Sequence, residues 1–208
     1  MRGNEHGCAV WNDLCYKGKA LPYVAIHACS GPRRATDFAH AISSHAFDVG
    51  IAVVCLVIDP AISKVANLLA LVGQLSDLII GDRVIALLNS PPCSTVTRAR
   101  HVPLTAEKHG PRPLRIRDDP FEPIFGLSKY ETTQVQLGNY LLYSCVYLQG
   151  LMTAMQHWGL TEHPKDPWPP FPSFFHSRAA TLLRTFGDCD DIFFDQCMFG
   201  AWARKSTQ

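Results

Sequence analysis

The stretch "RVIALLNSPPCSTVTRAR", Arg83 to Arg100, joins two unlike kinds of chain. An apolar run from Val84 to Leu88 reaches Asn89, then Pro91 and Pro92, then Cys93 and a polar loop carrying Arg98 and Arg100. The apolar half reads as a buried strand, because it is continuous rather than alternating. Two prolines end it, since neither can donate to a ladder. One reading makes Cys93 incidental to a stiff turn. The other makes it a thiolate nucleophile presented at the rim of a sheet.

The rest of the chain repeats the first half of that pattern. "YVAIHACSG" (Tyr23–Gly31) and "IAVVCLVID" (Ile51–Asp59) are two more apolar runs that stop at small or acidic residues. Between the three runs, "RATDFAHAISSHAFDVG" (Arg34–Gly50) and "VANLLALVGQLSDLIIG" (Val65–Gly81) have helical spacing, with Phe38, Ala41, Ile42 and Ala46 on one predicted face. Strand, helix, strand, helix, strand predicts an α/β fold: a Rossmann-like, open, mostly parallel sheet with helices on both faces. Downstream, "YETTQVQLGNYLLYSCVYLQGLMTAMQHWG" predicts one long helix ending at Gly159, with Val135, Leu142, Val146 and Leu151 on its apolar face. "LTEHP" (Leu160–Pro164) predicts a fourth strand, Ser173–Gly187 a further helix, and Asp190–Trp202 a last, antiparallel strand. The Pro-rich "HPKDPWPPFP" is a loop between elements, not a domain linker.

Composition bounds the function. The chain has 208 residues, 47% hydrophobic and 18% charged, which suits one domain with a sizeable core. A net charge of +1 carries no global nucleic-acid signature, so polyanion binding would need a local patch. The eight cysteines form no CxxC pair and no zinc-finger spacing. No apolar stretch is long enough to span a membrane, and the N-terminus has no apolar signal-peptide core. These features predict free thiols in a reducing, intracellular compartment, nuclear or cytoplasmic, with no metal and no membrane partner.

In an open parallel sheet, ligands lie beyond the carboxyl ends of the strands. The predicted strand ends are Cys29-Ser30-Gly31, then Asp59, then Pro91-Pro92-Cys93, then Glu162-His163-Pro164. A small-residue turn, an acid, a thiol and a second acid are thus expected on one rim.

Those residues carry a resemblance. "SPPCST" is similar to the catalytic motif of the C5-cytosine methyltransferases. "HACSGPRRATDF" resembles their cofactor-binding turn, "TEHP" their Glu-Asn-Val motif, and "FDQCMFGAWARKSTQ" a later motif with basic residues. The islands follow the family's order from Tyr23 to Lys205, and together look most like methyltransferase-like domains of eukaryotic mobile elements. The resemblance implies a class I methyltransferase-like fold using S-adenosylmethionine. It implies Cys93 as the nucleophile that adds to cytosine C6 and Glu162 as the acid near N3. It implies Cys29, Ser30, Gly31, Asp59, Asn67 and Pro91 as cofactor ligands, Asp59 at the ribose and Asn67 near the adenine. DNA is the implied substrate, with the target base flipped out, and RNA the variant of it. The glycine-rich turn is reduced here to "SGPRR", and Glu-Asn-Val to Glu-His-Pro. The family's target-recognition region has no counterpart. The expected layout is a loosely ordered segment 1–22 and a catalytic domain over 23–208, truncated at its C-terminus.

The loop after Cys93 has its own pattern. From Arg98 to Arg117 there are six basic residues, Arg98, Arg100, Lys108, Arg112, Arg115 and Arg117, against Glu107. Phosphate contact is the expected use of Arg98, Arg100, Arg112 and Arg115, joined on the rim by Gln196, Arg204 and Lys205. The bland reading is a solvated charged loop. A second functional reading is an inactive, decayed module of a mobile-element polyprotein that binds the cofactor or nucleic acid without chemistry.

Overall fold

The computed structural model describes residues 23–29, 38–50, 52–58, 65–96, 98–101, 111–116, 119–164, 171–186, 189–192, 194–195 and 206–207. The three apolar runs form strands: β1 is Tyr23–Ala28, β2 is Val53–Ile58 and β3 is Val84–Asn89. Helix α1, Phe38–Asp48, lies between the first two in sequence, and α2, Val65–Ile80, between the next two. Gly50 takes φ +72° just past α1, the left-handed conformation that ends helices.

The four-stranded sheet has the order β2-β1-β3-β4, where β4 is Trp158–Thr161, and every neighbouring pair is parallel. The order reverses between β1 and β3, and a crevice opens at such a reversal beyond the carboxyl ends. β3 carries a bulge: Val24 pairs with Val84 and Ala25 with Ala86, so Ile85 is the extra residue. The bulge turns both Val84 and Leu87 toward one core.

That core lies under one sheet face. Val24, Ile26, Ala28, Val84 and Leu87 pack against Leu75 and Ile79 of α2 and against Leu148 and Met152 of a long helix, α3, Lys129–Ala154. The opposite face receives α1, whose Phe38 ring meets buried His27 edge-on at 5.5 Å. Helices therefore cover both faces, as continuous apolar strands demand. On α1 the buried residues are Ala39 and Ala46 while Ala41 is exposed, which rotates the predicted face by a fraction of a turn.

Helix α3 starts in a capping box. Ser128 accepts from the Glu131 backbone N–H, and the Glu131 carboxylate accepts from the Ser128 N–H at 2.8 Å. At 26 residues, α3 is long enough to serve two cores. Leu148 and Met152 lie under the sheet, while Leu142 packs with Phe174, Phe175 and Ala180. The predicted end at Gly159 is corrected. The helix stops at Ala154, Gln156 turns the chain at φ +56°, and Trp158 and Gly159 already pair with Ala86 and Leu87. The predicted helix over Ser173–Gly187 is two pieces, a 3-10 turn at Phe174–His176 and α4, Arg178–Phe186. The last strand is short: β5, Phe194–Asp195, pairs antiparallel with β6, Ser206–Thr207, apart from the main sheet. Among the described residues no helix is long and apolar enough to cross a membrane. The segment 1–22 lies outside the described residues.

Candidate functional site

Strand register puts the expected rim on one line. Ile58 pairs with Ala28, Ala28 with Asn89, and Asn89 with Thr161. The residues leaving that row are Cys29 from β1, Ser90 and Pro91 from β3, and Glu162 from β4. Two backbone bonds tie the exits together. Ser90 N–H donates to Ala28 O at 3.0 Å and Glu162 N–H to Asn89 O at 2.7 Å. The structure thus brings Cys29, Glu162 and the start of Pro91-Pro92-Cys93 to the carboxyl edge. Pro91 is buried, and Cys93 and Glu162 are half-buried. Ser30, Gly31, Asp59, Gln196, Arg204 and Lys205 lie outside the described residues, and only the backbone of Asn67 and Arg98 is described.

Cys29 leaves β1 with φ +59°, a left-handed conformation uncommon for a non-glycine residue. Its thiol meets that of Cys145 on α3. This hydrogen bond, followed by deep burial, raises the Cys145 pKa well above the usual thiol range. Below the rim lies a polar cluster. Asn89, fully buried, donates from Nδ2 to Cys145 O at 3.2 Å and to Thr161 Oγ1 at 3.3 Å, and Thr161 Oγ1 donates to Gln149 Oε1 at 3.4 Å. Gly159 lets the Gln149 amide approach the strand closely: a Cβ there would stand 2.7 Å from it and oblige that side chain to shift. Asn89 Oδ1 has no partner among the described residues.

The loop behind Cys93 differs from its expected use. Cys93 O accepts from Val96 N–H at 2.9 Å, closing a tight turn over Cys93–Val96. Arg100 grips that turn: its Nε donates to Ser94 O at 2.5 Å and one terminal nitrogen to Arg112 O at 3.0 Å. Arg112 is exposed, yet its fork meets Glu131 at 2.7 and 2.6 Å and Gly126 O at 3.0 Å. That pairing, with the bonds to Ser128, holds the Glu131 carboxyl well below the usual carboxylate range.

Arg115 needs the firmest correction. It is 1% exposed, so it is no surface phosphate contact. Its five N–H donors all have internal acceptors: Thr95 Oγ1 twice, at 3.0 and 2.8 Å, Pro120 O at 2.6 Å, Asn139 Oδ1, and Val135 O at 3.4 Å. Burial pulls its pKa down to about 10, with Asp119 and Tyr143 opposing, so it stays charged at neutral pH. Full hydrogen bonding is what makes a buried charge tolerable. Gly138 makes room for it, since a Cβ there would stand 3.0 Å from Arg115 and 3.1 Å from Thr95 Oγ1.

Thr95, Asn139, Cys145 and Gln149 are the site residues that sequence reading did not single out. "LGNY", a Gly-Asn pair inside an apolar helix, was the available signal of a close polar approach. A cavity of about 500 Å³ lies away from the strand ends, lined by the stacked rings of Phe121 and Tyr143 with Asp119, His176, Arg178 and Leu182. Among the described residues no group of three or more His, Cys, Asp or Glu residues is placed to hold a metal ion.

Fold and site together define an α/β protein with a four-stranded, all-parallel main sheet, in which Glu162 directly follows β4 and Cys93 lies four residues past the end of the adjacent β3. No family model, curated protein or solved structure matches the chain.

Proposed function

We propose that the chain is a Rossmann-like, class I methyltransferase of the C5-cytosine type, acting on DNA. One observation carries the reading: β3, which borders the point where strand order reverses, leads in four residues to Cys93, and Glu162 leaves the neighbouring β4 with its N–H bonded to Asn89 O at 2.7 Å. A thiol and a carboxyl in that position match the two roles the chemistry requires. S-adenosylmethionine, when bound, supplies an electrophilic methyl group. Its place would be the crevice between β1 and β3, and the sharp left-handed turn at Cys29 suits a backbone bending over that crevice. Cys29 and Pro91 would line it, together with Ser30, Gly31, Asp59 and Asn67.

The Cys93 thiolate adds to C6 of a flipped cytosine, and the C5–C6 double-bond pair then becomes available at C5, where it would take the methyl group as the methyl–sulfur bond breaks and its pair stays on the departing thioether. Glu162 holds a proton at N3 while the ring is electron-rich. Loss of the C5 proton to solvent water then expels the Cys93 thiolate and restores the ring. Pro91 and Pro92 stiffen the approach of the sulfur. In DNA carrying 5-fluorocytosine the last step is blocked, so a covalent protein–DNA adduct should accumulate with the cofactor present.

A specific observation favours the cofactor-binding form of the second reading, a non-catalytic module of a mobile-element polyprotein. Arg100, Arg112 and Arg115 bond to this chain's own acceptors, which leaves less free positive charge for phosphates and so weighs against nucleic-acid binding in either reading. Calorimetry separates the two readings: cofactor binding without methyl transfer supports the module. Competition between duplex DNA and tRNA decides the substrate class.

A further inference from the structure

We propose that Arg115 is a positioning residue for Cys93, acting through Thr95. This rests on the reading of Cys93 as a nucleophile. A thiol that must reach one ring carbon needs a fixed backbone, because small misplacements cost large factors in rate. Two prolines fix the chain before Cys93, and two arginines fix it after. Arg100 holds the carbonyl of Ser94, the first residue past the thiol. Arg115 holds the hydroxyl of Thr95, the second, with two converging N–H donors at 3.0 and 2.8 Å.

The rest of Arg115 anchors that grip to rigid structure. Val135 and Asn139 belong to α3, which also packs under the sheet through Leu148 and Met152. Pro120 O brings in the chain that folds back through the Arg115–Pro123 bridge. The turn carrying Cys93 is therefore latched to the same helix that meets Cys29 and Asn89 from below. A lysine cannot replace the latch, since one ammonium cannot reproduce the fork. Valine at position 95 keeps the shape and removes the acceptor, leaving two buried N–H donors unmet.

The test reads Cys93 itself, in the full chain. Iodoacetamide modification of each cysteine is followed by mass spectrometry in wild type, Thr95→Val, Thr95→Ser and Arg115→Lys. Cys189, which meets Thr153 near the far end of α3, is roughly 20 Å along the helix from Asn139 and serves as the internal control. Cys93 should react at least fivefold faster in Thr95→Val and Arg115→Lys, with Cys189 unchanged, and Thr95→Ser should stay within twofold of wild type. Equal rates at Cys93, or parallel increases at Cys93 and Cys189, would overturn the latch. If the first two variants do not fold, Gly138→Ala decides by the same criterion. It strengthens helix α3 intrinsically while pushing on Arg115 and Thr95. Methyl transfer gives an independent readout, a fall in kcat with KM for the cofactor unchanged. If wild type transfers no methyl group, the methyltransferase reading fails while the alkylation pattern still decides the latch.

Discussion

The backbone N–H of Glu162 donates to the carbonyl of Asn89 at 2.7 Å, so the chain leaving β4 is tied to the last residue of β3. Cys93 departs from that same end of β3, four residues on. The bond ties the exits of the two strands that lead to the proposed chemical groups, and Glu162 gives the account its first test. Glu162→Gln keeps the backbone bond and the side-chain shape and removes the proton-holding acid. It should lower methyl transfer by about 10² to 10⁴, with cofactor affinity unchanged in calorimetry. An undiminished rate would remove Glu162 from the mechanism.

The buried thiol at Cys145 should be inert. Its bond to Cys29 and its burial both keep it protonated, and the thiolate is the reactive form. At pH 8, native protein treated with iodoacetamide should carry label at half-exposed Cys93 and Cys29 and none at Cys145, which becomes labelled only in urea. Label at Cys145 in the native state would contradict the packing of α3 against the sheet beneath the rim.

The Arg112–Glu131 pair gives stability a defined pH dependence. The folded carboxyl has a depressed pKa, so its contribution is complete above the ordinary value of about 4.3 and shrinks as pH falls below it. Glu131→Gln retains the capping box and lacks this term. Between about pH 5 and pH 3, the wild-type urea midpoint should fall faster than that of the variant. Parallel curves would show that the pair adds nothing.

Leu87, fully buried, sits in β3 at the centre of the larger core, between Ile26 and Gly159 in register. Leu87→Ala should cost about 2–5 kcal/mol, from lost transfer energy and a cavity that the sheet cannot collapse. Urea denaturation measures it. A loss well under 1 kcal/mol would mean that the core beneath the sheet is loosely packed.

The sheet was legible because its signal is local. Val53–Ile58 and Val84–Leu88 are continuous apolar runs, short and bounded by turn residues, which suits a strand of a parallel sheet better than a helix. The row of strand ends followed from the topology, since parallel strands finish together. The end of α3 was not legible. Helical spacing persists through Met155 and His157, but pairing of Trp158 and Gly159 with Ala86 and Leu87 takes those residues into the sheet, and only the tertiary partner decides that. The arginines were legible as charge and illegible as contacts. Arg112 and Arg115 are three residues apart in one Pro-rich loop; one is exposed against Glu131 and the other buried against Thr95. Sequence gives the number of N–H donors in that loop but not the acceptors they meet.

The most direct measurement is covalent trapping. The chain is incubated with S-adenosylmethionine and duplex DNA containing 5-fluorocytosine, and the adduct is digested and mapped. The account predicts a DNA-linked peptide containing Cys93 in wild type and none in Cys93→Ser. Cofactor binding without any adduct, or an adduct that survives Cys93→Ser, would contradict it.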